Sequence, residues 1–166
     1  KQKASQFFFV VCFLLFAFYR LSFAQNTPAN DDFLYAQKLF NDGYYDLSVS
    51  QLRLFMQRYP DAQQVAEAWR LTGEANFALK KYAASREAFE TLEVRFPAHP
   101  AVESARLRIA ECFARENDLK SAALTYQRFV LLHPKSNKAP EAQYRSAELW
   151  LRLGEAEKAR EMLYKL

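Results

Sequence analysis

The strongest constraint on the fold is a repeat, because similar residues recur every 37 positions along this chain of 166 residues. Mostly aromatic or large apolar residues fill three series of equivalent positions: Tyr45, Tyr82, Leu119 and Ala156; Leu52, Phe89, Tyr126 and Leu163; Phe55, Leu92, Phe129 and Leu166. Pro60, Pro97 and Pro134 keep the same step. Periods of roughly 20–50 residues are typical of solenoids, in which stacked units share one core.

Each copy predicts two helices joined by a tight turn. In the second copy, apolar residues follow helical spacing over residues 67–79 and again at Tyr82, Ser85, Phe89 and Leu92. The turn position holds Gly43, Lys80, Asn117 and Gly154, and three of these four are residue types that tolerate a left-handed backbone. The prolines should end the second helices, because proline cannot continue a helix.

Small residues occupy the positions where the two helices of a copy should cross. They are Ala36, Gly73, Ala110 and Ala147 in the first helices and Ser48, Ser85, Ala122 and Ala159 in the second helices. Small side chains let two helices approach closely, and larger residues then fill the space between one pair and the next. The sequence therefore predicts an all-α solenoid of about four helix-turn-helix units.

This order of small, aromatic and proline positions resembles the tetratricopeptide repeat (TPR), and Trp69 and Gly73 match its early aromatic residue and its glycine. The third and fourth copies lack that aromatic residue. The resemblance implies a right-handed superhelix over residues 30–166, with repeats at about 30–64, 65–101, 102–138 and 139–166, the last one truncated. The linkers after the prolines are similar to those of bacterial cell-envelope members associated with the Tol–Pal system and with β-barrel assembly.

The first 24 residues have the three-part pattern of a secretory signal peptide: lysines at the start, the apolar run Phe7–Tyr19, and small residues before a cleavage site after Ala24. Residues 25–29 would be a short linker. Cys12 lies inside the apolar run, so we expect an exported periplasmic protein without a lipid anchor, with association with outer-membrane complexes as a further expectation. An uncleaved membrane anchor is the alternative. Because Leu166 falls inside a predicted second helix, we also expect a longer array.

No residue pattern predicts catalysis, a cofactor or a metal site. Three of the 23 basic residues lie in the acid-free first 24 residues, so the remainder carries 20 basic and 19 acidic residues. A nearly neutral chain gives no electrostatic reason to bind nucleic acid. His99 and His133 precede or adjoin prolines and have no partners at ligand spacing. Cys112 lies beside Ile109 and Phe113 on an apolar stripe, which predicts a buried structural thiol.

The TPR resemblance implies that the first helices line a concave groove for a partner segment. The corresponding positions are Phe33, Gln37, Phe40, Glu67, Arg70, Glu74, Phe77, Leu107, Glu111, Arg115, Glu141, Tyr144, Glu148 and Arg152. One column, Gln37, Glu74, Glu111 and Glu148, is mainly acidic, which suggests a protein or peptide partner that carries Lys or Arg. The alternative is an ordinary helix surface on which Arg115 and Arg152 neutralise glutamates four residues earlier.

Two functions remain open from the sequence. The first is a non-catalytic scaffold for protein–protein interaction in the periplasm. The second is an accessory TPR region of a longer protein, such as an enzyme whose other domain lies outside this chain.

Overall fold

A computed structural model describes residues 28–164, which form eight helices and no strands. The helices are α1 (Pro28–Asn41), α2 (Tyr45–Arg58), α3 (Val65–Ala78), α4 (Tyr82–Arg95), α5 (Val102–Arg115), α6 (Leu119–Leu132), α7 (Ala139–Arg152) and α8 (Ala156–Leu163). Helix α1 begins two residues before the predicted start of the array. The predicted signal peptide and its cleavage site lie outside the described residues.

Each helix packs mainly against the helices next to it in the chain, so the molecule is a linear stack of four helix pairs. The predicted all-α solenoid is therefore confirmed. The pairs are α1–α2, α3–α4, α5–α6 and α7–α8, and within each pair the first helix starts 17 residues before the second. Among the residues described here, no helix combines the length and the apolar character needed to cross a membrane.

The turn inside each pair uses a left-handed residue at the predicted position. The φ angles are +82° at Gly43, +60° at Lys80, +63° at Asn117 and +78° at Gly154. The following amide closes the turn by donating to a carbonyl five residues earlier, as Lys81 N does to Asn76 O at 2.8 Å. All four turns therefore share one geometry, although Lys80 has a side chain that disfavours it.

The small residues lie where the two helices of a pair cross, as predicted. Ala36, Ala110, Ala122 and Ala159 have no exposed surface, and Ser48 and Ser85 are equally buried. The Ser48 hydroxyl donates to the Ala36 carbonyl at 2.9 Å, and the Ser85 hydroxyl donates to the Gly73 carbonyl at 2.8 Å. In the first two repeats, the two helices of a pair are therefore held by close packing and by one hydrogen bond between them.

The core is continuous from one pair to the next because the same position is filled in successive repeats. Phe55, Leu92 and Phe129 are equivalent residues, and each is almost completely buried. Helices α2, α4 and α6 end two residues before Pro60, Pro97 and Pro134, which confirms the predicted helix ends. Cys112 is fully buried, its thiol donates to Ser85 Oγ at 3.4 Å, and burial raises its pKa.

Candidate functional site

Thirteen of the fourteen predicted groove residues are at least partly accessible on the first helices α1, α3, α5 and α7. Gln37, Phe40, Glu67, Arg70, Glu74, Phe77, Leu107 and Glu111 are partly buried, whereas Arg115, Glu141, Tyr144, Glu148 and Arg152 are exposed. Phe33 differs, because only 5% of its surface is exposed and its ring lies 5.5 Å from that of Phe55. Phe33 is therefore a core residue, held between α1 and α2, and is not available to a partner.

The aromatic residues at the ends of α1 and α3 are tied to the following helices. The Phe40 ring meets Tyr45 edge-on at 5.4 Å, and the Phe77 ring meets Tyr82 in the same way at 5.5 Å. These contacts lie across the turn of each pair. Phe40 and Phe77 therefore stabilise the turn and offer a partner only part of their surface.

The glutamates of α3 are held by arginines. Glu67 accepts three hydrogen bonds from Arg70, at 2.6–2.9 Å, and this contact raises the pKa of the Arg70 guanidinium. Glu74 lies 3.2 Å from Arg108 on the next first helix, α5. The side chain of Glu74 is only 23% exposed. Both carboxylates on α3 are therefore paired with arginines of the same chain.

Arg108 connects two repeats and was not among the predicted site residues. Besides Glu74, it binds Glu111 on its own helix at 2.6 Å, and its guanidinium lies 4.8 Å from the centre of the Phe77 ring. The sequence contained a signal for this residue, because Arg108 and Arg145 are 37 positions apart and each precedes a glutamate of the acidic column by three. Pairs three residues apart share one side of a helix.

Helix α7 presents two loosely paired carboxylates on this face. Arg145 lies 3.7 Å from Glu141 and 4.0 Å from Glu148, so it holds neither carboxylate closely. The side chains of Glu141 and Glu148 are 72% and 46% exposed. Tyr144 lies between them in the sequence and is 59% exposed, and Leu151 is also exposed. We call Glu141, Tyr144, Glu148 and Leu151 the α7 patch.

The alternative of an ordinary helix surface named Arg115 and Arg152 as the partners of Glu111 and Glu148, and the structure shows other partners. Within the described helices, these glutamates contact the arginine three residues before them, Arg108 or Arg145. Arg108 also contacts Glu74 on the neighbouring repeat, whereas Arg115 does not contact this glutamate. The acidic column therefore alternates with arginines, and Arg115 and Arg152 remain exposed at the ends of their helices.

The two histidines contact residues of the loops and helix ends around them. His99 accepts a hydrogen bond from the Ala101 amide at 3.3 Å, in the loop between α4 and α5. His133 follows the last residue of α6, where its ring packs 5.0 Å from Phe129 and its Nε2 contacts Arg106. Residues 28–164 contain no group of three or more His, Cys, Asp or Glu side chains that could hold a metal ion.

Comparison with solved structures places the fold among TPR-like solenoids. The crystal structure of MamA superposes with a TM-score of 0.67 and 15% identity, covering 90% of this chain and 82% of MamA. MamA from Desulfovibrio magneticus RS-1 gives 0.64 and 17%, covering 82% and 72%. A putative kinesin light chain from Podosopora anserina with TPR-like repeats gives 0.61 and 13%, covering 82% and 71%. At these identities, the likeness concerns the fold alone.

No curated protein matches the chain at a significant level. The sequence profile of the YfiO family, described as an outer membrane lipoprotein family, matches residues 71–162, which is just over half of the chain. Solenoids of this kind offer extended surfaces for protein contacts. With its 37-residue helical repeat, its TPR-like stack of helix pairs and this match, the chain belongs to the YfiO family of TPR-like proteins.

Proposed function

We propose that the protein is a non-catalytic scaffold of the bacterial cell envelope that binds a segment of another protein along the first helices. The observation that carries this proposal is the α7 patch, which combines an exposed tyrosine and leucine with two loosely paired carboxylates. Tyrosine is enriched among the residues that contribute most to protein interfaces. The arginines and glutamates of α3 and α5 already pair with each other. These helices therefore contribute the shape of the binding face rather than electrostatic attraction for a partner.

The charges suggest where a basic residue of the partner binds. Glu67, Glu74 and Glu111 accept close contacts from Arg70 or Arg108, and a partner would have to break these contacts. Glu141 and Glu148 need no such exchange. A Lys or Arg side chain beside them would also contact the face of the Tyr144 ring, which favours a cation. We therefore infer that the basic part of the partner binds at α7.

We infer a periplasmic location, which the signal-peptide pattern and the family description support. A removable signal peptide would deliver the chain to the periplasm. The description of the matching family is outer membrane lipoprotein. The intact mass of the exported chain distinguishes a cleaved chain without a lipid from a chain that carries a lipid anchor. A mature chain that begins at Gln25 supports a periplasmic protein without a lipid anchor, whereas a lipid adduct would contradict it.

Site-specific photocrosslinking in the source organism tests the binding face. A photoreactive residue replaces Tyr144 in the full chain, and a matched chain carries it at Val94, an exposed position on α4. We expect a discrete protein adduct from position 144 and none from position 94. Adducts of equal yield from both positions would contradict binding by the first helices.

Charge reversal then tests the carboxylates. Glu141→Lys together with Glu148→Lys should lower the adduct yield about tenfold, which corresponds to a contact worth about 1–2 kcal/mol. Glu87→Lys is the control, because Glu87 is an exposed residue of the second helix α4. An unchanged yield with the double variant would show that the partner does not use these carboxylates.

The second candidate function is an accessory TPR region of a longer protein with a separate catalytic domain. The same face would then bind a substrate or a subunit of that enzyme. Sequencing the complete gene distinguishes this function from the scaffold, because an enzyme needs a further domain beyond the repeats.

A further inference from the structure

The most exposed leucine and valine side chains of the described helices lie together at one end of α4 and α6. Val94 and Leu131 are 79% and 74% exposed, whereas the other exposed leucines of residues 28–164 are 39–56% exposed. The two residues hold equivalent positions, since they are 37 apart. Arg128 of α6 lies 3.6 Å from Glu93 of α4, so the ends of these two helices are neighbours. Val94 and Leu131 therefore belong to one exposed apolar surface.

The same end of α6 is basic. Residues 119–140, which cover α6 and the loop after it, contain four basic residues and no acidic residue. The other second helices, α2, α4 and α8, each contain Asp or Glu. Arg95 and Lys135 are exposed, and the part of the chain that the structure describes gives neither of them an ion-pair partner. Cations without a partner therefore border the apolar surface.

The acids nearest to this end are already engaged within the protein. Glu93 is only 18% exposed and accepts a hydrogen bond from Arg106 at 3.1 Å. Glu90 lies 3.6 Å from Arg86, and Glu103 of α5 accepts a hydrogen bond from a loop serine at 2.7 Å. The surface therefore keeps a positive charge. We call it the α6 edge, which consists of Val94, Arg95, Arg128, Leu131, Leu132 and Lys135.

We propose that the α6 edge docks on the surface of a lipid bilayer that contains anionic phospholipids. Peripheral binding to a membrane combines apolar side chains, which enter the interface, with Lys and Arg, which attract anionic headgroups. Val94, Leu131 and Leu132 would enter between the headgroups. The long side chains of Arg95 and Lys135 would keep their charges at the level of the phosphates.

The residue types of the α6 edge favour a lipid surface over a protein partner. The contacts that dominate protein interfaces are rich in Trp, Tyr and Arg, whereas Leu and Val are under-represented among them and Lys is depleted from interfaces. The α6 edge has three aliphatic residues and no aromatic residue. It lies on the second helices, apart from the α7 patch, so a bilayer and a protein partner can be bound at the same time.

A fluorescent amino acid whose emission shifts to shorter wavelength in apolar surroundings tests the proposal. It replaces Leu131 in the full chain, and a matched chain carries it at Leu47, an exposed leucine of α2. The reporter is local because the apolar run at residues 7–19 could itself hold the chain on a vesicle. Each chain is titrated with vesicles of phosphatidylcholine, with and without phosphatidylglycerol.

We expect a saturable blue shift at position 131 with the anionic vesicles and none at position 47. Vesicles of phosphatidylcholine alone should bind at least about tenfold more weakly, because they lack the charge that attracts Lys and Arg. No shift at position 131, equal shifts at the two positions, or equal affinity for the two kinds of vesicle would overturn the proposal.

Charge removal locates the site in the chain that carries the reporter at position 131. Arg95→Gln together with Lys135→Gln should raise the lipid concentration at half-maximal shift about 25-fold, or about fivefold for each charge. Both residues are exposed, so the fold should be unaffected. Arg53→Gln together with Arg115→Gln is the control, because it removes two exposed charges elsewhere. Equal effects of the two double variants would overturn the site.

A protein is the other class of occupant for an exposed apolar surface. The chain with the reporter at position 131 is therefore also mixed with a vesicle-free soluble extract of the source organism. A blue shift with the anionic vesicles and none with this extract supports the lipid surface. A shift with the extract and none with vesicles would assign the α6 edge to a protein partner and overturn the proposal.

Discussion

At Gly73, a single hydrogen atom stands where the equivalent residues Ala36, Ala110 and Ala147 have a methyl group. A Cβ built at this position would lie 2.6–2.8 Å from three atoms of the Phe89 ring, which is only 1% exposed. The ring cannot move away, because it is enclosed by the core between α3 and α5. Glycine is therefore required here by close packing, and its backbone freedom is not the reason.

Gly73→Ala should destabilise the protein by about 1–3 kcal/mol through overpacking, measured as a shift in the urea midpoint. The first repeat supplies the compensating change, because the positions of Gly73 and Phe89 are held there by Ala36 and Leu52, two members of one buried cluster. Adding Phe89→Leu to Gly73→Ala should cost less than the sum of the two single changes. Strict additivity would contradict a direct clash between the new methyl group and the ring.

Lys80 shows the opposite situation, since its backbone is strained and its side chain is exposed. Lys80→Gly should stabilise the protein by about 0.5–1 kcal/mol, because relief of the left-handed strain exceeds the added freedom of the unfolded chain. Thermal unfolding measures the change. Gly154→Ala is the converse control and should lower stability, and a destabilised Lys80→Gly protein would contradict this account.

At the scale of the helices, a pair is joined by close packing and, in two repeats, by a buried serine hydroxyl. Ser48 donates to the Ala36 carbonyl of α1 at 2.9 Å. The equivalent residues Ala122 and Ala159 show that a methyl group fits the same space. The hydroxyl therefore adds a hydrogen bond between helices without being needed for their approach.

Ser48→Ala should destabilise the protein by about 0.5–1.5 kcal/mol, the usual net contribution of one such hydrogen bond. Ser50→Ala is the matched control, because the Ser50 hydroxyl is exposed and bonds to Asp46 of its own helix. Chemical denaturation compares the two variants. Equal midpoints for Ser48→Ala and Ser50→Ala would show that the bond between the helices contributes nothing measurable.

At the scale of the whole molecule, stability is transmitted from repeat to repeat. Within residues 28–164, each helix pair packs mainly against the neighbouring pairs, so the array behaves as a chain of coupled units. Leu92 lies at the junction of the second and third repeats and has no exposed surface. It is therefore the position where a cavity would weaken the link between the two halves.

Leu92→Ala should cost about 2–5 kcal/mol, the usual range for a fully buried leucine. Native-state hydrogen exchange should show the largest loss of protection in α4 and α5 and a smaller loss in α1. Ala83→Gly, an exposed change on the same helix, is a control for effects on α4 alone. An equal loss in all helices would mean that the array unfolds as one unit.

Much of this architecture could be predicted because it depends on residues that recur. The turn position, the small residues at the crossings and the prolines after the second helices each appear in at least three copies, so chance agreement is improbable. The binding face on the first helices stays a prediction, and one of its residues, Phe33, lies in the core. That residue failed because its orientation depends on Phe55, which is 22 residues away in the sequence.

The sequence by itself determined the helix pairs, their order and the positions of close approach, because these follow from local periodicity and from the size of side chains. Only the tertiary structure decided which glutamates are paired, because Arg108 of the third repeat reaches Glu74 of the second repeat. It also decided where space remains, since a cavity beside Arg106 arises where α4, α5 and α6 meet. Charge pairing and empty volume are properties of neighbours in space, and a repeat pattern does not specify them.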